Sequence, residues 1–148
     1  EYLNIKVTGS SRIAVLGSGS VSQGAFCYLS KLGAEPRMFY RKTLDLFYDK
    51  INEYEIIVNG IEIDSDDQHI IDYYHLSETS DDVLIIDAAA DAGRSIEGTE
   101  YMSLDNPMGY VLGRKYILVN NAPTLMHEIS SRVISGVVAS VLLQKRIL

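Results

Sequence analysis

Hydrophobic positions along this 148-residue chain fall into two alternating patterns. Short apolar runs, RIAVLG at 12–17, PRMFYR at 36–41, EIIVNGI at 55–61, VLIIDAA at 83–89 and KYILVNN at 115–121, have the length and continuity of strands buried on both faces. Between them, apolar residues recur at helical spacing. Val21, Ala25, Tyr28, Leu29 and Leu32 mark one face of a first helix, which Gly33 is suited to end. Leu44, Phe47, Tyr48 and Ile51 mark a short second helix, and a weaker one lies around 70–76. The longest runs from 124 to about 145, with Ile129, Val133, Val137, Val141 and Leu142 inward and Pro123 punctuating its start.

Buried strands alternating with helices require right-handed crossovers, so the pattern predicts an α/β fold: a doubly wound parallel sheet, Rossmann-like, in a single domain. Such sheets bind ligands beyond the carboxyl ends of their strands. Five segments share that edge: 17–22, 40–43, 59–61, 87–91 and 120–124.

Composition narrows the function. With 47% apolar and 22% charged residues the chain is globular, and its net charge of −7 leaves no footprint for a nucleic-acid backbone. No apolar window reaches membrane-spanning length, and nothing at the start has the order of a signal peptide, so no membrane partner is expected. A lone Cys27 cannot form an intrachain disulfide, which points to the cytoplasm. The chain opens on Glu1 and not on Met. Residues 1–11 are therefore expected to lead in from a preceding domain, with 12–148 forming a dinucleotide-binding domain.

The stretch 13–26, IAVLGSGSVSQGAF, carries the first chemistry. Gly17 ends a strand and Gly19 opens a helix, the context in which a Gly-x-Gly turn can cradle a pyrophosphate. Gly17 allows the tight turn; Gly19 removes a side chain, so that phosphate oxygens reach the backbone N–H groups of Ser18, Gly19, Ser20 and Val21 and the positive end of the helix. The third glycine of the usual fingerprint is replaced by Ser22, which is small enough for close packing. The bland alternative is a tight turn and nothing more.

The second strand discriminates between nucleotides. NAD binders place an acid at its end, roughly 20 residues after the glycines, to hold the ribose 2′-hydroxyl. Here that end reads Tyr40-Arg41-Lys42-Thr43, two cations and a hydroxyl suited to a 2′-phosphate. NADP(H) is therefore the expected cofactor, with NAD(H) still possible, and a solvated strand end is the competing reading. His69 and His75 are read as surface histidines and Cys27 as packing; no metal-ligand set is visible, and no metal is expected.

IIDAAAD at 85–91, together with IEGTEYMSLDNPMGYVLGRKYILVNNAPTL at 96–125, resembles the cofactor domain of the alanine dehydrogenase, transhydrogenase and saccharopine dehydrogenase superfamily, with N5-(carboxyethyl)ornithine synthases nearest in flavour. The likeness covers most of 12–142. It implies that Asp91 lies by the nicotinamide ribose and active site, as the one catalytic candidate of this chain. It further implies that Asn121 and Pro123 line the nicotinamide ring, that Asn59, Gly60 and Ile61 flank the adenosine side, and that Ala88 belongs to the same edge. Chemically, Asp91 and Asn121 would supply an acceptor and an amide where ribose hydroxyls and a carboxamide need fixing. Both could equally be strand and turn terminators.

The resemblance leads to the expectation of an NADP(H)-binding domain of an oxidoreductase that reductively condenses a 2-oxo acid such as pyruvate with an amino-acid amine such as that of ornithine. The substrate-binding residues would belong to an amino-terminal domain preceding Glu1, and a homo-oligomer is possible. The alternatives are the cofactor domain of an alanine or saccharopine dehydrogenase, and a nucleotide-sensing module without hydride transfer. A methyltransferase using S-adenosylmethionine fits less well, because it would want an acid near residue 41.

Overall fold

The computed structural model describes residues 6–64, 68–89, 92–103 and 105–118. Among the described residues, six strands form one sheet in the order β2-β1-β3-β4-β6-β5. Strand β1 (Ile13–Leu16) lies between β2 (Arg37–Phe39) and β3 (Ile56–Asn59), and β4 (Leu84–Asp87) follows β3, all parallel. Strand β6 (Arg114–Ile117) adds in parallel to β4, while β5 (Met108–Val111) returns antiparallel at the edge. The doubly wound α/β fold expected from the alternation of runs is the fold observed.

Its core has two faces. On one, helices α2 (Leu44–Tyr48) and α3 (Tyr73–Glu78) contribute Phe47 and Leu76 to a cluster with Ala14, Leu16, Ile57, Ile85, Phe39 and Tyr54. The Phe39, Phe47 and Tyr54 rings lie with centroids 5.6–5.9 Å apart. Arrangements of this kind add to the burial of each ring and fix where β2 ends. On the other face α1 (Ser20–Lys31) packs on Ile13, Val15, Ile56 and Val58 through Ala25 and Leu29.

Four local expectations are corrected. The inward stripe of α1 is not the whole predicted set, since Val21, Tyr28 and Leu32 are exposed. The stripe that meets the sheet runs instead through Ser22, Ala25 and Leu29, because Ser22 is fully buried at the first turn and sets the helix rotation. Cys27 is likewise exposed. The predicted weak helix starts later: Ile71 bridges to Ile96, and Asp72 then caps α3 by accepting the His75 N–H over 2.8 Å. His75 stacks on Tyr48 and His69 bonds the Arg94 carbonyl, so neither is a free surface side chain.

The fifth predicted strand, 115–121, is β6 and belongs to a hairpin that periodicity does not reveal. Leu112 (φ 46°) and Gly113 (φ 78°) form its two-residue turn, both in the left-handed region that such turns need. Gly109 interrupts the apolar pattern of β5 for a steric reason, since a Cβ there would overlap the Tyr116 ring. β6 ends at Ile117, and residues 119–121 of that predicted strand and the helix expected from 124 onward lie outside the described residues.

Candidate functional site

The carboxyl ends of β1, β2 and β3 surround a cleft of about 460 Å³ lined by Gly17, Ser18, Gly19, Tyr40, Arg41, Lys42, Gly60, Ile61, Glu62 and Asp64. One wall is the glycine turn. Gly17 takes φ 113°, closed to side chains in practice, and its N–H continues the sheet by donating to the Phe39 carbonyl over 2.8 Å. Gly19 is the N-cap of α1, and no side chain caps that end. A Cβ at Gly19 would meet no protein atom within 4 Å. The N–H groups of the first turn are therefore accessible to an anion from the cleft. Gln23 braces the loop by donating from Nε2 to the Ser18 carbonyl over 2.8 Å.

The opposite wall is the tight helical turn Arg41–Thr43 that follows β2. Thr43 closes it: its N–H donates to the Tyr40 carbonyl over 2.8 Å, and its hydroxyl accepts the Tyr40 N–H over 2.9 Å. The Arg41 guanidinium spans the cleft to the Glu62 backbone carbonyl. Arg41 and Lys42 are exposed and face the same space, and a guanidinium tied at one nitrogen keeps further N–H groups for a ligand.

The floor is the turn after β3. The Gly60 N–H donates to the Leu16 carbonyl over 2.9 Å, and Asn59 Oδ1 accepts the Ile61 N–H over 3.1 Å. Asn59 and Asp87, register partners at the ends of β3 and β4, meet through Nδ2 and Oδ1 at 3.0 Å in a fully buried contact. Asp87 Oδ1 also accepts the Ala89 N–H over 3.2 Å.

The structure thus gathers Gly17, Ser18, Gly19, Arg41, Lys42, Gly60 and Ile61 around one space. Ser20 and Val21, both exposed, open the first turn of α1 beside it and do not line the cleft. Thr43 acts as a turn lock with its hydroxyl engaged. Asn59 contributes a buried side chain where the expectation was a backbone edge. Ala88 lies in an apolar trough beneath α1, away from the cleft. Asp91, Asn121 and Pro123 lie outside the described residues, as does the rest of the expected nicotinamide end. Sequence reading missed Glu62 and Asp64, which line the cleft from the loop after β3, because no spacing rule connects that loop to the second strand. It also missed the structural weight of Ser22, although the third fingerprint position was the place to look. No group of His, Cys, Asp and Glu side chains able to hold a metal occurs among the described residues. No helix among them is long and apolar enough to cross a membrane.

An open glycine turn, a helix N-terminus and a strand-end cation pair at the carboxyl edge of a mostly parallel sheet define a Rossmann-like domain with a cleft of the kind that holds a nucleotide. Comparison with known proteins finds relatives that match most of the chain. The chain is 41% identical over 138 residues to an N(5)-(carboxyethyl)ornithine synthase of Lactococcus lactis subsp. lactis, covering 93% of this chain and 44% of that protein. It is 42% identical over 128 residues to a protein of the same name from Clostridium botulinum, covering 86% of this chain and 40% of the relative. The chain therefore spans less than half the length of these curated relatives. No family model matches. Among solved structures, an L-alanine dehydrogenase superposes with a TM-score of 0.63 at 17% identity, over 76% of this chain and 37% of that one. A transhydrogenase from Sinorhizobium meliloti gives 0.59 at 16%, over 72% and 37%. Over most of its length the chain is thus similar in sequence to N(5)-(carboxyethyl)ornithine synthases, and its fold is that of the matching part of an L-alanine dehydrogenase and a transhydrogenase.

Proposed function

We propose that this chain is the NADP(H)-binding domain of an oxidoreductase that reductively joins a 2-oxo acid such as pyruvate to the amine of an ornithine-like amino acid. The observation that carries the reading is the cleft itself, with an unobstructed glycine turn on one side and Arg41 and Lys42 on the other. The glycine turn suits the pyrophosphate, the cations suit a 2′-phosphate, and the names of the relatives supply the substrate class. Glu62 and Asp64 oppose that phosphate electrostatically, so nucleotide preference reports which charges lie nearer the ribose.

In this reading the protein's own work is orientation. The turn at 17–19 and the first turn of α1 hold the pyrophosphate, Arg41 and Lys42 the 2′-phosphate, and the floor at Gly60 and Ile61 the adenosine. On the family pattern, Asp91 is the chain's catalytic candidate and, with Asn121 and Pro123, serves the nicotinamide end. A nicotinamide cofactor held there would supply the hydride that, with a proton, reduces the C=N bond formed when the oxo acid and the amine condense with loss of water. A cation for the substrate carboxylate would come from the part of the longer protein that this chain does not span, so 12–148 constitutes the cofactor domain and 1–11 its lead-in. The cytoplasm is the expected compartment, and assembly into a homo-oligomer is compatible with the fold.

Titration of the chain with NADPH and NADH by calorimetry tests the assignment. NADPH is expected to bind more tightly, and Arg41→Ala is expected to erase most of the difference, since a charge-assisted hydrogen bond contributes about 1.5–3 kcal/mol. Equal affinities in the wild type, or a preference for NADH, would remove the 2′-phosphate site. The chain alone is expected to show no turnover with pyruvate and ornithine.

A further inference from the structure

Ser22 stands where the nucleotide fingerprint ordinarily has its third glycine, and it is completely buried. Its hydroxyl donates to the Leu16 carbonyl over 2.9 Å. The same carbonyl accepts the Gly60 N–H over 2.9 Å, so one oxygen at the end of β1 ties α1 to the turn after β3. The Ser22 hydroxyl also fills the space that two glycines leave open. A Cβ on Gly17 would lie 2.6 Å from Ser22 Oγ, and a Cβ on Gly60 would overlap that oxygen outright. Gly17 and Gly60 are neighbours in the cleft lining, a Cβ on Gly17 falling 3.1 Å from the Gly60 carbonyl oxygen. Three residues from three segments thus interlock around a single hydroxyl, directly behind the surface that a dinucleotide would touch.

From this we infer that Ser22 is a positioning residue for the cofactor: its hydroxyl sets the separation of the glycine turn from the β3 turn, and its presence is why residue 60 is glycine. The inference deepens the cofactor reading and rests on it. A consequence runs against the usual motif, because completing the fingerprint with Ser22→Gly weakens nucleotide binding. That change deletes a buried hydrogen bond, leaves a hole between two turns and adds backbone freedom to the first turn of α1. A second consequence is reciprocal. Gly60→Ala collides with the serine hydroxyl, and the collision disappears when residue 22 has no hydroxyl, so the two substitutions compensate when combined.

The test compares wild type, Ser22→Ala, Ser22→Gly, Gly60→Ala and the two pairs that combine Gly60→Ala with either Ser22 change. NADPH and NADH affinities are measured by calorimetry, with circular dichroism and thermal melting of each ligand-free chain alongside. Ser22→Gly is expected to raise the Kd for both nucleotides by a similar factor, roughly three- to tenfold, because the pyrophosphate is common to both. Ser22→Ala, which keeps the Cβ and the helix, is expected to raise both by a smaller factor, with its melting temperature close to wild type. Gly60→Ala is expected to be the worst single change, and adding Ser22→Gly or Ser22→Ala to it is expected to recover affinity. Wild type binding neither nucleotide removes the cofactor reading and this inference with it. Wild type binding normally while Ser22→Gly binds equally well or better removes the inference alone. So does a Gly60→Ala defect that neither Ser22 change relieves, or a Ser22 effect confined to the melting temperature.

Discussion

Asn59 and Asp87 end neighbouring strands and face each other in the sheet, with Asn59 Nδ2 donating to Asp87 Oδ1 over 3.0 Å at 0% and 3% exposure. The same amide donates to the Ile61 carbonyl over 3.3 Å while its oxygen accepts the Ile61 N–H. One side chain therefore bonds one oxygen of a buried carboxyl group and closes the turn that floors the cleft. Asn59→Ala is expected to cost about 2 kcal/mol, since the buried Asp87 Oδ1 loses the Asn59 amide and the turn loses both of its bonds to Ile61. Asn59→Asp should cost more, because it opposes two carboxylates in the interior. Urea unfolding measures both, and a loss below about 0.5 kcal/mol for Asn59→Ala would show that the pair carries no stability.

Gly19→Val separates the turn's binding role from its folding role. The backbone there, φ −72° and ψ 174°, is open to any residue, and an added Cβ touches no protein atom. The variant is expected to melt within a few degrees of wild type and yet to lose binding of both NADPH and NADH, because the branched side chain stands where the pyrophosphate would approach. Normal binding with an unchanged circular dichroism spectrum would make the turn purely structural.

Asp72 gives the fold a pH dependence with a defined sign. Burial alone would raise its pKa, but the His75 backbone N–H, the His75 ring at 2.8 Å and the nearby His69 together hold the carboxyl below its ordinary range. A carboxyl depressed in the folded state contributes stability above its unfolded pKa, near 3.9, and loses it as pH falls through the folded value. Asp72→Ala is therefore expected to be about 1 kcal/mol less stable than wild type near neutrality, from loss of the α3 cap. The gap should narrow in acid, below about pH 4. Thermal melts of both proteins from neutral to acidic pH read this directly, and a gap constant across that range would mean that the charged cap is unimportant.

Leu112 occupies a left-handed position at φ 46° with half its surface exposed, a conformation that suits asparagine far better than leucine. Leu112→Asn is expected to raise stability by about 0.5–1 kcal/mol through relief of backbone strain in the β5–β6 turn. An unchanged or lower melting temperature would show that the leucine makes compensating contacts.

The architecture was legible because burial on both faces of a parallel sheet leaves continuous apolar runs, a signal local enough to survive without tertiary information. IAVLG, EIIVNG and VLIID each announce a central strand and the turn that follows, and the spacing from the glycines to Tyr40-Arg41-Lys42 locates both walls of the cleft. The hairpin was hidden because its evidence is relational: Gly109 makes sense only beneath the Tyr116 ring, and Leu112 adopts its turn without a turn-forming side chain. The facing of α1 was decided by Ser22, whose place between Gly17 and Gly60 depends on two turns 43 residues apart converging on one oxygen. Glu62 and Asp64 entered the cleft for a similar reason, through a loop whose course follows from the buried Asn59 contacts. Periodicity records which residues avoid water. Which buried polar atoms meet, and which loops they thereby hold over the site, is decided only when distant segments pack against one another.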